Sequence, residues 1–322
     1  MLKAKKSKFF LLVLGSSLLV FYATYFPLPT EKDPLCLYST HGRDDLRLVT
    51  LKAIKKAQHS IHIHTYALTD PQVLSLLMKK ARAGVSVHIT YHRKNTPRLE
   101  KLPYLHLHPE KGSGLMHTKW IIVDEILVLL GTANLTTSSL MMHENCLIGF
   151  FAPDFAKNLI NPSFYQGKIG TQTITFFLLP DQKGLYYLLN TLDQAKSRVD
   201  VAQFTFTHPL LVQKLIELHQ KDLSIGITLD QTGARGASKK AFETLLQAGL
   251  PVNVSQGIPL FHHKWALVDQ STLVLGSANW TQAAFNKNKD FILFLSPLKK
   301  KQVKQLKKMI QIINKESVTH KV

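Results

Sequence analysis

Hydrophobic and polar positions beyond residue 35 follow two alternating periods. In residues 46–58 and 71–83 the apolar side chains recur at helical spacing, which predicts two amphipathic helices. The shorter runs 61–66 and 85–91 are rich in β-branched residues, which is typical of strands. This β-α-β order predicts an α/β protein in which mostly parallel β-sheets are flanked by helices.

The same pattern returns in the second half of the chain, where it can be aligned residue by residue. Residues 61–71 align with residues 199–209 at an offset of 138, and residues 131–134 align with residues 276–279 at an offset of 145. Similarity at so long a period indicates two fused copies of one domain, because the units of solenoid proteins are shorter.

We therefore predict two pseudo-symmetric domains, at residues 35–165 and 166–322. Two copies related in this way bring equivalent residues together at their interface, as the subunits of a two-fold homodimer do. One chain then supplies both halves of a pseudo-dimer, and we expect the protein to be a monomer.

The N-terminal segment has a different character. Four lysines within residues 1–8 precede the uncharged run 9–26, which as a helix would be roughly 27 Å long, against about 30 Å for a bilayer core. We expect residues 1–29 to form an uncleaved single-pass membrane anchor, with the rest of the chain on the extracytoplasmic side. A cleaved signal peptide, which would leave a secreted protein, and a buried core helix are the alternatives.

Composition and charge narrow the choice of partners. The chain has 45% hydrophobic residues, which excludes a disordered or fibrous protein, and its formal net charge of +19 favours an anionic partner. The basic segment 299–313 carries an apolar stripe that we expect to pack on the domain as a final helix. Binding of that segment to an anionic membrane surface or to nucleic acid is the alternative.

The two cysteines, Cys36 and Cys146, are too few for a disulfide scaffold or a cysteine-rich zinc site. A bond between them stays open for an exported domain. The pairs His62/His64 and His106/His108 lack a nearby cysteine or carboxylate that would complete a zinc site, so we predict no metal there.

A motif of polar residues occurs once in each copy with the same spacing. It reads His-x-Lys, four residues, Asp, six residues, and Gly-Ser/Thr-x-Asn. Its members are His117, Lys119, Asp124, Thr132 and Asn134 in the first copy, and His262, Lys264, Asp269, Ser277 and Asn279 in the second. Because the His and Lys of each copy are two residues apart on a predicted strand, they point to the same face. Each half therefore offers an imidazole, an ammonium, a hydroxyl and an amide to one spot.

This set of side chains suits an anionic phosphorus centre. Two ammonium groups and two amides can hold the non-bridging oxygens and stabilise the charge of the transition state. One neutral imidazole can attack phosphorus, while the protonated imidazole opposite donates to the leaving oxygen. Each imidazole also needs an acceptor for its other ring nitrogen, and Glu144 and Asp290 stand at nearly matching places beyond the two motifs.

The two complete motifs resemble those of the phospholipase D superfamily, over about residues 35–296. The resemblance implies two phospholipase D-like domains with the active site at their interface, a covalent phosphohistidine intermediate, and no metal or cofactor. It makes His117 the nucleophile and His262 the general acid, with the reverse assignment open. Glu144 and Asp290 would then orient the two imidazoles.

The same resemblance assigns the remaining motif residues. Those expected to bind phosphate are Lys119, Thr132, Asn134, Lys264, Ser277 and Asn279. Asp124 and Asp269 are expected to brace the motif rather than to touch substrate. Tyr66 and Phe204 occupy equivalent strand ends, and core packing is the expected role for them, with pocket lining as the alternative.

Phosphodiester chemistry does not by itself name the substrate. The predicted anchor favours a phospholipase that hydrolyses head-group phosphodiester bonds of phospholipids at a membrane surface. A membrane-anchored or exported nuclease is the alternative, supported by the high basic charge. A phosphatidyl transferase similar to cardiolipin synthases is a second alternative.

Overall fold

The computed structural model describes residues 26–112 and 114–321. The predicted anchor or signal segment lies almost entirely outside these residues and stays a prediction. Within the described ranges, no helix combines the length and the apolar character needed to cross a bilayer.

The first half of the chain forms a seven-stranded sheet with the order β1-β7-β6-β5-β2-β3-β4. Its strands are β1 (Leu35–Ser39), β2 (Ser60–Thr65), β3 (Ser86–His92), β4 (Leu105–Glu110), β5 (Trp120–Val123), β6 (Leu127–Gly131) and β7 (Cys146–Phe151).

The second half forms a nine-stranded sheet with the order β16-β12-β11-β10-β13-β14-β15-β9-β8. Its strands are β8 (Tyr165–Ile169), β9 (Gln172–Leu179), β10 (Arg198–Gln203), β11 (Ser224–Leu229), β12 (Val252–Ser255), β13 (Lys264–Val268), β14 (Thr272–Gly276), β15 (Asp290–Ser296) and β16 (Ser317–His320).

Helices flank both sheets. They are α1 (Leu46–Lys56), α2 (Pro71–Arg82), α3 (Thr137–Met141), α4 (Pro153–Ile160), α5 (Gln182–Asp193), α6 (Pro209–Gln220), α7 (Gln231–Arg235), α8 (Lys239–Gln247), α9 (Gln282–Asn286) and α10 (Lys300–Lys315), with 3-10 turns at Thr40–Gly42 and Arg93–Asn95. The chain therefore has the predicted α/β architecture. The predicted helices 46–58 and 71–83 are present as α1 and α2.

The prediction of mostly parallel sheets is wrong, because both sheets are mixed and mainly antiparallel. Parallel pairing is confined to β2-β3-β4 in the first sheet and to β10-β11-β12 in the second. The β-α-β order correctly describes β2-β3 and β10-β11-β12, whereas only a 3-10 turn lies between β3 and β4. The motif strands instead form the hairpins β5-β6 and β13-β14, whose short turns allow only antiparallel pairing.

Aromatic side chains from both halves pack in one core between the two sheets. The Trp120 and Phe291 ring centroids lie 5.9 Å apart, and Phe176 stacks on Phe291 at 5.6 Å. Trp265 belongs to the same buried cluster. Because this core includes β5 and β13, it fixes the relative positions of the two motif strands.

The C-terminal helix α10 packs its apolar stripe on the domain, as expected. Leu306, Met309 and Ile313 are buried within the core shared by both halves. Cys36 and Cys146 are both buried and free, so they form no disulfide with each other.

Candidate active site

The aspartates of the two motifs lie in the hairpin turns, away from the imidazoles. Asp124 adopts a φ of 51° and Asp269 one of 48°, and the residue after each is also left-handed, so both turns have the twist that favours tight hairpins. The Asp124 carboxylate accepts hydrogen bonds from the backbone N–H groups of residues 58–60. Asp269 does the same for residues 196–198. Each aspartate thus ties its hairpin to the start of the adjacent strand.

We expect Asp124→Ala to lower the free energy of unfolding by about 1–3 kcal/mol, because three backbone donors lose a charged acceptor. Alanine also tolerates the left-handed turn less well than aspartate. Urea unfolding followed by circular dichroism measures the change. The exposed substitution Glu243→Ala is the matched control, and equal stability of the two variants would contradict this role for Asp124.

Each motif histidine is anchored to the opposite half of the molecule. The His117 backbone N–H donates to the Lys289 carbonyl at 2.7 Å, and the His262 N–H donates to the Glu144 carbonyl at 2.9 Å. These two contacts are equivalent under the offset of 145 residues seen in the sequence. These two backbone hydrogen bonds hold the two motifs at one interface. There, each half supplies the hydrogen-bond partner for the imidazole of the other half.

His117 is held by a buried carboxylate. Its Nδ1 lies 2.7 Å from Asp290 Oδ1, and Ser277 Oγ donates to the same oxygen at 2.6 Å. Since an ionised carboxylate only accepts, His117 carries its proton on Nδ1 and keeps the Nε2 lone pair. Asp290 is 1% exposed, so its negative charge acts on the imidazole with little screening by water.

His262 is held by a neutral amide rather than by Glu144. Its Nδ1 lies 3.0 Å from Asn145 Oδ1, which also accepts a 2.8 Å hydrogen bond from Thr132 Oγ1. The Asn145 amide N–H group donates to the Ser139 carbonyl, which fixes its oxygen toward the imidazole. The Glu144 carboxylate instead lies 3.4 Å from His41 Nε2.

The role expected for Glu144 is therefore wrong, and Asn145 was missed. The repeat contained the signal, because Asn145 is 145 residues before Asp290 and so is its equivalent. An amide, rather than a carboxylate, supplies the acceptor at this position.

The motif lysines contact the backbone of the motif histidines, and each motif asparagine has a buried side-chain oxygen that is unpaired within the described residues. Lys119 Nζ donates to the His117 carbonyl at 2.5 Å, and Lys264 Nζ donates to the His262 carbonyl at 3.0 Å. The buried side-chain oxygens of Asn134 and Asn279 have no hydrogen-bond partner among the described residues. Since a side-chain amide can turn its NH₂ group into the same space, each asparagine can donate to a phosphate oxygen.

Burial controls the protonation of the two imidazoles. The pKa of His262 lies well below its usual value because the ring is buried and faces the Lys264 and Lys119 ammonium groups. Burial and Lys119 also lower the pKa of His117, while Asp290 acts in the opposite direction. Both histidines are therefore neutral in the free protein at neutral pH.

The two lysines are equally affected. Burial lowers the pKa of Lys119 to about 7, and burial together with Lys119 lowers that of Lys264 well below its usual value. Burial alone would raise the pKa of Asp290, but the His117 imidazole, the Lys119 ammonium and the Ser277 hydroxyl together hold it below its usual value. A phosphodiester anion entering the site raises the pKa of each nearby base, because it stabilises the charged form.

We expect Asn145→Asp to raise the pKa of His262, because a carboxylate stabilises the imidazolium. If protonated His262 is the general acid, kcat then persists to higher pH, and the alkaline limb of the pH profile moves up by about 1–2 pH units. The profile is measured with a substrate whose leaving group needs protonation. The exposed variant Asn161→Asp serves as control, and an unmoved alkaline limb would count against His262 as the acid.

Two aromatic side chains lie at the site rather than in the core, contrary to expectation. The Tyr66 ring centroid is 5.5 Å from that of His117, and the Phe204 centroid is 5.0 Å from that of His262. Lys119 and Lys264 lie over these two rings, 5.8 and 5.1 Å from their centroids. The aromatic pair thus forms the walls beside the catalytic groups.

The H-x-H pairs lie on the face of the first sheet. The His62 and His88 rings are stacked with centroids 4.6 Å apart, and His88 stacks on His106 at 4.4 Å. Stacked imidazoles present their nitrogens side by side rather than toward a common point. Among the described residues, the one group arranged to hold a metal ion lies elsewhere and contains His41.

A model of a known protein family matches both halves of the chain. The family model described as "Cardiolipin synthase, PLD-like domain" matches residues 50–162 and 188–313, which is well over half of the chain and includes both motifs. The chain belongs to the phospholipase D superfamily.

The relatives within the superfamily differ in their named activities. Mitochondrial cardiolipin hydrolase of Xenopus laevis is 35% identical over 106 residues, which are 33% of this chain and 50% of that protein. Phospholipase D of Rickettsia felis is 23% identical over 154 residues, covering 44% of this chain and 76% of that protein. The chain thus spans about half the length of the cardiolipin hydrolases that it matches.

A solved structure that covers almost the whole chain has the same fold. Phosphatidylserine synthase of Haemophilus influenzae superposes with a TM-score of 0.72 at 13% identity, covering 92% of this chain and 89% of that one. At this identity, the superposition shows that the two proteins share a fold over both halves of this chain.

Proposed function

We propose that the protein hydrolyses phosphodiester bonds of phospholipids through a covalent phosphohistidine formed on His117. The observation that carries this proposal is the unequal pairing of the two catalytic histidines. His117 has a buried carboxylate as its partner, whereas His262 has a neutral amide. The two imidazoles are thereby adapted to different steps of one reaction.

In the first step, the lone pair of His117 Nε2 attacks phosphorus and the bond to the leaving oxygen breaks. The imidazole becomes positively charged as the P–N bond forms, and the Asp290 carboxylate stabilises that charge. His262 donates its Nε2 proton to the leaving oxygen. The neutral Asn145 amide favours release of that proton, because it stabilises imidazolium less than a carboxylate would.

In the second step, His262 accepts a proton from water while the water oxygen attacks phosphorus. The P–N bond then breaks and returns the electron pair to His117 Nε2. Throughout, Lys119 and Lys264 neutralise the non-bridging oxygens, and the Asn134 and Asn279 amides donate to them.

Exposed apolar side chains close in sequence to the site residues favour a lipid substrate. Leu115 lies two residues before His117 and is 40% exposed, Met142 lies three residues before Asn145 and is 61% exposed, and Ile258 lies four residues before His262 and is 95% exposed. Exposed large apolar side chains on a protein that carries a charged site suit contact with acyl chains. The basic charge of the chain favours the alternative, a nuclease, since nucleic acids are polyanions.

The substrate test uses the full chain and the double variant His117→Ala/His262→Ala. Both proteins are offered vesicles of phosphatidylcholine and cardiolipin with a trace of primary alcohol, and separately single-stranded DNA and RNA. We expect phosphatidic acid to form from either lipid with the intact protein alone. Phosphatidyl-alcohol as the main product would identify a transferase. Cleaved oligonucleotide with untouched lipid would contradict the proposal and identify a nuclease.

A further inference from the structure

A second cluster of ionisable side chains lies behind the catalytic site. His41, on the 3-10 turn Thr40–Gly42, points Nε2 at two carboxylates. Its Nε2 is 3.4 Å from Glu144 Oε2 and 3.7 Å from Glu316 Oε2, and the three atoms all lie within 4.8 Å of one another. His41 lies near the start of the first half, Glu144 lies just before β7, and Glu316 directly follows α10. Only the tertiary structure brings them together.

The local charge of this cluster is opposite to that of the chain as a whole. The chain carries a net charge of +19, whereas this cluster holds two carboxylates. At this distance the two carboxylates repel each other. Glu316 is also the C-cap of the 16-residue helix α10, where the helix dipole disfavours negative charge. An acidic site maintained against both effects attracts a cation.

The spacing fits metal ligands better than a direct ion pair. A charge-assisted N–H···O hydrogen bond is about 2.7–2.9 Å long, shorter than either distance from His41. The ligand atoms of a tetrahedral ion at about 2.0 Å are about 3.3 Å apart, which is close to the 3.4 and 3.7 Å observed.

A buried neighbour completes the arrangement that a metal-binding histidine needs. His41 Nδ1 lies 3.0 Å from His263 Nε2, and His263 is fully buried. If His41 Nδ1–H donates to His263, then the His41 Nε2 lone pair faces the two carboxylates. Metal-ligating histidines use such a partner for their second nitrogen, which fixes the tautomer and orients the ring.

We propose that His41, Glu144 and Glu316 bind one divalent transition-metal ion of the zinc type, with water as the fourth ligand. The ion has no part in the phosphoryl chemistry. It stabilises the region next to the catalytic groups, since Glu144 precedes Asn145 and His263 follows His262 in the sequence. It also ties the end of α10 to the first half of the molecule.

Metal binding is tested with the full, untagged chain after dialysis against a chelator. Co²⁺ is added as the probe, because tetrahedral Co²⁺ has an intense visible absorption band, and equilibrium dialysis gives the stoichiometry. We expect one tightly bound ion with the tetrahedral band, which Glu316→Gln weakens at least about 10-fold. Glu316 is 58% exposed at its side chain, so this variant is expected to fold.

The control variant is Glu243→Gln, which removes an exposed carboxylate on another helix and should leave Co²⁺ binding unchanged. Zinc should also raise the melting temperature of the wild type by about 4 °C or more, and that of Glu316→Gln much less. Absence of a tetrahedral band, or Co²⁺ binding that is equal in both variants, would overturn the proposal. The second outcome would mean that Co²⁺ binds at another place on the chain.

Discussion

Replacing His117 with alanine is expected to lower kcat by about 10⁴-fold or more, which corresponds to about 5.5 kcal/mol of lost transition-state stabilisation. The loss is large because His117 has a free Nε2 lone pair while its Nδ1 pairs with a buried carboxylate. No other described side chain at the site combines these two features. Hydrolysis of a phospholipid with a chromogenic leaving group measures the effect. Folding is checked by circular dichroism.

The matched control for this prediction is His59→Ala. His59 is exposed in the same half of the chain, and its side chain lies outside the site, so kcat should stay near the wild-type value. Retention of more than about one-tenth of the activity by His117→Ala would mean that His117 is not the nucleophile.

Replacing Asp290 with asparagine is expected to lower kcat by about 10²–10⁴-fold, with a small change in KM. The carboxylate fixes the Nδ1–H tautomer of His117 and stabilises the positive charge that forms on the ring. An amide of the same shape can fix this tautomer only when its oxygen faces the imidazole. It lacks the negative charge that stabilises the positively charged ring. Steady-state kinetics at several pH values measures both constants.

The comparison variant is Asn145→Ala, which removes the partner of His262. Because that partner is neutral, its loss should lower kcat less than Asp290→Asn does. The reverse order, with Asn145→Ala the more damaging change, would indicate that His262 forms the covalent intermediate. Asp290 would then serve the acid rather than the nucleophile.

Much of the local structure follows from the sequence, because apolar periodicity reports which face of an element is buried. Helices α1 and α2 begin at Leu46 and Pro71, as the pattern predicts. The sequence pattern was less informative about strand direction, since β5-β6 and β13-β14 read like any other pair of strands. Their left-handed turns at Asp124 and Asp269 became visible only in the structure.

The repeat predicted that two motifs meet, but residue type misled the choice of one partner. Glu144 was expected to act because carboxylates are common partners of catalytic histidines, whereas the offset of the repeat points to Asn145. The cluster around His41 could not be inferred at all. Its members are separated by more than 100 residues at each step and share no motif, so only the packing of α10 brings Glu316 to the others.

The most direct test of the account is to trap the intermediate in His262→Ala. With a phosphatidyl ester of p-nitrophenol the leaving group needs no acid, so the first step proceeds, while hydrolysis stalls for want of a base. We expect one stoichiometric burst of p-nitrophenolate and a phosphatidyl adduct that mass spectrometry locates on His117 at alkaline pH, where the P–N bond survives. An adduct elsewhere, or steady turnover without an adduct, would contradict it.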